Sequence, residues 1–144
     1  MRVEDIQIRS ALTYTSGTAD RNGTAIDTAG YEWAVFVVTF ATIASSATTS
    51  VKVQQDTASA MSGAADLEGT SISVADDDDD QVFAVAITKP RERYLRCVID
   101  KDATNATAES AICIRGNGIT GPSLASITDE LTVEVHHSPA EGTA

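Results

Sequence analysis

The chain has 144 residues and a formal net charge of −11, with a hydrophobic fraction of 42% and an aromatic fraction of 5%. This length predicts one domain that is large enough to bury a core. The acidic charge disfavours nucleic-acid binding, because such a surface repels the phosphate backbone. No segment is apolar for long enough to span a bilayer, so no membrane association is expected.

Residues 1–10 alternate apolar and charged side chains, with Val3, Ile6 and Ile8 as apolar anchors. This pattern predicts an N-terminal arm or a short strand that packs on a neighbour. Because the segment carries acidic residues and lacks the apolar core of a secretory signal, we expect production in the cytoplasm. Residues 11–16 predict the first strand of the domain proper.

Residues 31–43, YEWAVFVVTFATI, form the longest apolar stretch and contain the only tryptophan, Trp33. The side chains are apolar on both faces of an extended chain. This is typical of a central strand covered on both sides, or of one that joins the core to a subunit interface. A helix is the alternative, but the β-branched residues within the stretch disfavour it.

Short extended segments separated by turn signals follow along the chain. Further strands are predicted at residues 51–56, 67–74, 81–88, 91–100, 108–115 and 131–135. About eight or nine strands, with no helix longer than two turns, predict an all-β, single-domain, jelly-roll-like antiparallel β-sandwich with extended termini. The expected division is an arm over 1–10, the sandwich over 11–135 and a flexible tail over 136–144.

The expected strand pairing is local. Residues 81–88 and 91–100 are predicted to form a hairpin around a Lys-Pro turn, and residues 108–115 to pair back onto 91–100. Cys97 and Cys113 would then lie in neighbouring strands. In a cytoplasmic product we expect two reduced, buried thiols, with a disulfide as the alternative.

Two charged clusters flank the predicted strand 81–88. For the five aspartates 76–80 we expect a solvated loop, since consecutive carboxylates do not reproduce the alternating ligands of a calcium loop. Docking to a basic partner is a further alternative. The second cluster holds Lys89, Arg91, Arg93 and Arg96. Local pairing with Glu92, Asp100 and Asp102 is the favoured interpretation; the competing hypothesis is that part of the cluster contacts another subunit or a partner.

Residues suited to catalysis are sparse. The two histidines, His136 and His137, are adjacent in the predicted tail, which would not hold a base rigidly beside a nucleophile. Gly116-Asn117-Gly118 follows a strand but lacks the third glycine of a dinucleotide-binding turn. No Cys and His spacing typical of zinc is present. We therefore expect no enzymatic activity, no metal and no cofactor.

Three stretches of the chain, taken in order, carry a resemblance to a known group of proteins. They are 31–43 followed by VKVQQD at 51–56, the strand 67–74 that runs into the aspartates, and KPRERYLRCVID at 89–100 before AICI at 111–114. This order resembles the small jelly-roll decoration or cement proteins on the heads of tailed bacteriophages. The resemblance covers residues 11–118.

The resemblance implies a structural virion protein on the outer capsid surface. It implies a homotrimer that binds the major capsid protein and stabilises the expanded head by bridging neighbouring subunits. The candidate contact residues are Val3, Ile6, Ile8, Arg91, Arg93 and Arg96. The alternatives are a carbohydrate-binding or adhesion module and another phage head or tail component. Sugar sites present exposed aromatic side chains, and this chain offers Tyr14, Tyr31, Trp33 and Tyr94, with Trp33 expected to be buried.

Overall fold

The computed structural model describes residues 6–117, which form strands and turns without a helix. The ten strands are β1 Ile6–Gly17, β2 Arg21–Asn22, β3 Ile26–Asp27, β4 Trp33–Ile43, β5 Thr49–Asp56, β6 Ala65–Asp66, β7 Ile72–Val74, β8 Val82–Thr88, β9 Tyr94–Lys101 and β10 Thr107–Gly116. Within this part of the chain, no helix is long and apolar enough to cross a membrane. The predicted all-β class is confirmed.

The strands form two antiparallel sheets. Sheet 1 has the order β1-β10-β4-β8, and sheet 2 has the order β2-β9-β5-β6, with β3 also on β9 and β7 also on β5. If β2 is counted with β3 and β6 with β7, the two orders become 1-8-3-6 and 2-7-4-5, the arrangement of an eight-stranded jelly roll. The predicted jelly-roll-like antiparallel β-sandwich is therefore confirmed.

Both predicted hairpins are wrong. β8 pairs with β4 in sheet 1, whereas β9 pairs with β5 in sheet 2. β10 returns to sheet 1, between β1 and β4. In a jelly roll the chain crosses from one sheet to the other at these connections instead of reversing within one sheet. The strand predicted over 67–74 is also shorter, because only Ile72–Val74 pairs with β5.

The core lies between the two sheets, and along most of β4 every second side chain points into it. On β4, the side chains of Ala34, Phe36, Val38 and Phe40 are fully buried. Ring packing of Phe40 against Phe83 is edge-to-face, with 5.6 Å between centroids. Because alternate side chains of a strand point to opposite faces, Trp33, Val35 and Val37 point away from the core. The alternation shifts at the irregularity near the end of β4, and Ile43 is again a core residue.

Sheet 2 contributes a second apolar layer. Val51 and Val53 point inward from β5, as their alternation with Lys52 and Gln54 predicts. Leu95 and Ile99 point inward from β9. Cys97 lies on the same face of β9 as these two residues, and Cys113 meets the core from sheet 1, both as free thiols. Burial raises the pKa of each thiol to about 12.

The described part of the predicted N-terminal arm is continuous with the first strand. β1 runs from Ile6 to Gly17 and pairs with β10 along its length. The other features predicted near the ends lie outside the described residues: Val3, the strand 131–135, the tail 136–144, and His136 and His137.

Candidate functional site

Sheet 1 presents an apolar surface on the side that faces away from the core. One cross-strand row consists of Ile8, Ile114, Val35 and Ala86, which are paired in register. Since directly paired residues share a face, the neighbouring rows complete what we term the outer apolar face. Its members are Ile6, Ile8, Trp33, Val35, Val37, Val82, Ala84, Ala86, Ile112 and Ile114.

The outer apolar face is partly open and carries no charge. Val82 is 60% exposed and Ile112 is 42% exposed. Four strands at about 4.8 Å spacing and seven residues at about 3.4 Å rise give this part of the sheet a footprint of roughly 450 Å². Contiguous apolar patches of this size on soluble domains often mark interaction sites. This face is therefore the first candidate for contact with a partner.

Trp33 lies at one corner of this face, above Gly116. A Cβ atom built on Gly116 would overlap the indole ring, so only glycine permits this contact. The indole is half-buried, which corrects the expectation that Trp33 is buried. It packs on the outside of sheet 1 because its partner across the ladder, Gly116, leaves the space open.

The predicted basic cluster is divided by the fold. The Arg93 guanidinium forms two hydrogen bonds to the Asp27 carboxylate, at 3.1 and 2.8 Å. This contact holds the pKa of Asp27 below its usual value. Arg96 Nε donates to Gln54 Oε1 at 2.8 Å. These partners differ from the predicted ones, because Asp27 and Gln54 come from β3 and β5, which pair with β9.

Lys89 and Arg91 occupy the end of β8 at the open edge of the sandwich. Together with Asp66 and Leu67, they line a cleft of about 490 Å³. Among residues 6–117, no carboxylate forms an ion pair with Lys89 or Arg91. In the described part of the chain, Lys89 and Arg91 are therefore the exposed members of the basic cluster without a carboxylate partner.

The five aspartates 76–80 lie at the opposite end of β8, where three of their carboxylates accept hydrogen bonds from backbone N–H groups of nearby turns. The Asp76 carboxylate accepts the backbone N–H of Ser46 at 2.5 Å, and Asp79 accepts that of Ile43 at 2.7 Å. Asp78 accepts the N–H of Ala75 at 2.8 Å. In the described part of the chain, no group of three or more Cys, His, Asp or Glu side chains is arranged to hold a metal ion.

A buried charge network, which the sequence analysis missed, joins the two sheets. Glu109 on β10 is fully buried and accepts hydrogen bonds from Lys101 Nζ at 2.9 Å and from Arg21 at 3.0 Å. The Thr107 hydroxyl donates to its other oxygen at 2.6 Å. The signal in the sequence is the acid at an inward position of an apolar strand. The network is structural, since burial closes it to a ligand.

The aromatic side chains suited to sugar binding are dispersed. The Arg115 guanidinium covers the ring of Tyr31 at 4.3 Å from the centroid, and that of Arg93 lies 5.3 Å from the Tyr94 ring centroid. Tyr14 is 65% exposed. Among the described residues, the geometry does not gather these rings into one stacking platform.

No protein-family model matches this sequence, and no curated protein matches it. Among solved structures, the chain is similar to the crystal structure of the PBSX exported protein XepA, with a TM-score of 0.55 and 12% sequence identity. The match covers 95% of this chain but 42% of that protein, so the chain spans less than half of its length. The likeness is one of fold.

Proposed function

We propose that this chain is a structural protein of a tailed-bacteriophage particle, which binds the outer surface of the head and catalyses no reaction. The fold likeness to the PBSX exported protein XepA supports this proposal. The resemblance of residues 11–118 to phage decoration proteins supports it independently. Fold alone does not decide function, so the proposal depends on the surface that the fold displays.

The observation that carries the proposal is the outer apolar face. A chain with a net charge of −11 leaves roughly 450 Å² of one sheet free of charge, so association with a protein surface is favoured at this place. Ile6 and Ile8 contribute to it from β1. Arg91, at the end of β8, would add a polar contact at the rim of the same surface.

The proposed partner is the major capsid protein, whose neighbouring subunits the chain would bridge. A protein that bridges several capsid subunits only when the head is expanded binds the expanded state and not the unexpanded one. Its binding therefore shifts the equilibrium toward the expanded head. Several linked copies would strengthen weak individual contacts through avidity. The resemblance implies three copies, whereas the edge of sheet 1 described in the next subsection points to two.

Co-sedimentation with purified heads of a tailed bacteriophage tests this function. We expect the chain to pellet with expanded heads and to remain in solution with unexpanded heads. Ile112→Lys places a charge on the outer apolar face without touching the core, so binding should weaken by about tenfold or more. Ser62→Lys, in an exposed loop, is the matched control and should bind normally.

Equal binding of both variants would contradict the use of this face. Binding to glycans on an array, together with no binding to either form of the head, would favour the carbohydrate-binding alternative instead.

A further inference from the structure

The strand β8 forms one edge of sheet 1, and within residues 6–117 no strand pairs with its second side. Its neighbours show which backbone groups face that side. The Gln81 carbonyl accepts from Phe40 at 3.0 Å, and the Lys89 N–H donates to Glu32 at 2.7 Å. Along a strand, the N–H and C=O groups of successive residues point to opposite sides. Gln81 and Lys89 point theirs toward β4, so every second residue between them, starting with Val82, points its N–H and C=O toward the free edge. The outward-facing set is Val82, Ala84, Ala86 and Thr88.

β8 lacks the sequence and backbone features that normally prevent an edge strand from pairing with another chain, such as charged residues, proline and bulges. Its sequence, VFAVAIT, contains no charge, proline or glycine, and its pairing with β4 has no register shift. The opposite edge, β1, shifts register twice. The edge strands of sheet 2 are two or three residues long. Within the described chain, β8 is therefore the long, regular edge that is open to another strand.

We propose that β8 pairs in antiparallel fashion with β8 of a second copy of this chain, around a two-fold axis at Val85. In this register Ala84 lies opposite Ala86 of the second copy, and Val82 lies opposite Thr88. All of these residues direct their backbone groups to the free edge, so each pair exchanges two hydrogen bonds. The two four-stranded sheets become one sheet of eight strands.

The charges at the two ends of β8 select this orientation. The five aspartates 76–80 precede the strand, and Lys89 and Arg91 follow it. An antiparallel pair places the aspartates of each copy beside the two cations of the other. A parallel pair would place aspartates beside aspartates, which repel each other. The clusters lie at opposite ends of one β8, roughly 24 Å apart, so they neutralise each other only between copies.

The contact also extends the outer apolar face. Val82, Ala84 and Ala86 belong to that face and lie next to the proposed axis. Pairing would join the faces of two copies edge to edge, doubling the apolar surface available to a further partner. This contact does not depend on the phage role, because it rests on the edge strand and its flanking charges alone.

Light scattering and sedimentation over a range of concentrations test the contact in the full chain. We expect a reversible change in mass from 15.1 kDa to twice that value. Ala84→Pro removes an outward N–H that sheet 1 does not use, so the dissociation constant should rise by about a hundredfold through two lost hydrogen bonds. Ala84→Ser keeps the N–H and is the matched control. Circular dichroism and Trp33 emission verify that both variants are folded.

Charge reversal provides a second, independent measurement. Lys89→Glu with Arg91→Glu should weaken pairing by about tenfold or more at low salt. Adding Asp77→Lys and Asp80→Lys should restore pairing, because the two charge clusters are then again opposite in sign. The turn should be kept, since Asp80 is held by the hydrogen bond from its backbone N–H to the Ala41 carbonyl and not by its side chain. Failure of this restoration would overturn the charge argument.

Hydrogen exchange of the β8 amides shows whether a second copy of the chain or another segment of the same chain pairs with the free edge of β8. Protection of Ala84 and Ala86 that rises with protein concentration supports pairing of two copies. Protection in a species of one-copy mass would assign the edge to residues 118–144 and overturn the proposal. A mass of three copies that Ala84→Pro leaves unchanged would overturn it as well.

Discussion

Replacing Glu109 with Gln removes the one negative charge from the buried network that joins the sheets. The Glu109 side chain is fully buried, that of Lys101 is 1% exposed and that of Arg21 is 15% exposed. The two cations donate to the same carboxylate oxygen. The substitution keeps the size of the side chain, so its effect reports the charge and its hydrogen bonds and not a cavity.

The expected loss of stability follows from the burial of the partners. Removing one member of a buried ion pair leaves the others without compensation and costs about 3–5 kcal/mol. The glutamine oxygen can still accept from both cations, and its amide N–H can face the Thr107 hydroxyl, so the loss reports the missing negative charge. For a domain of this size, such a loss corresponds to a fall in Tm of about 10–15 °C.

Urea unfolding followed by Trp33 emission measures this loss. Glu68→Gln is the control, because it makes the same chemical change at an exposed position and should alter stability by less than about 0.5 kcal/mol. A loss below about 1 kcal/mol for Glu109→Gln would refute the reasoning, because it would mean that water or rearranged side chains compensate the two cations.

Three further results are expected. Cys97 and Cys113 should resist Ellman's reagent at pH 8 in the folded protein and react fully in urea. Because burial raises their pKa to about 12, the stability that they contribute is complete below the unfolded value near 8.5 and falls as the pH rises. Gly116→Ala should destabilise the fold by about 1–3 kcal/mol and shift Trp33 emission, because the methyl group overlaps the indole. Asp102 accepts several N–H groups, which hold its pKa far below its usual value. It therefore stabilises the fold above about pH 4 and less as the pH falls, and Asp102→Ala should flatten acid unfolding curves in that range.

Local structure was predictable from the sequence, whereas strand pairing was not. The alternation of Val51, Lys52 and Val53 identified β5 and its inward face, since a period of two is a local property. The short connection between β8 and β9 suggested a hairpin. Connection length does not reveal whether the chain reverses in one sheet or crosses to the other, because both routes need a turn of similar length. The partner of each strand is set by packing across the whole domain.

The candidate site shows the same division. Apolar residues on both faces of 31–43 indicated that a surface beyond the core is covered there. The outward residues of β4 lie beside Ile8 and Ile114 because of the register in which the strands of sheet 1 pair. Those strands are distant in sequence, so this alignment could not be predicted locally. The pairing of Arg93 with Asp27, 66 residues away, was equally beyond a local interpretation.

The temperature at which expanded phage heads rupture, measured with and without the bound chain, tests the proposed function most directly. We expect the rupture temperature to rise and to saturate as the chain fills its sites. Ile112→Lys should abolish the rise, and Ser62→Lys should preserve it. An unchanged rupture temperature on heads that are saturated with the chain would contradict a stabilising structural role.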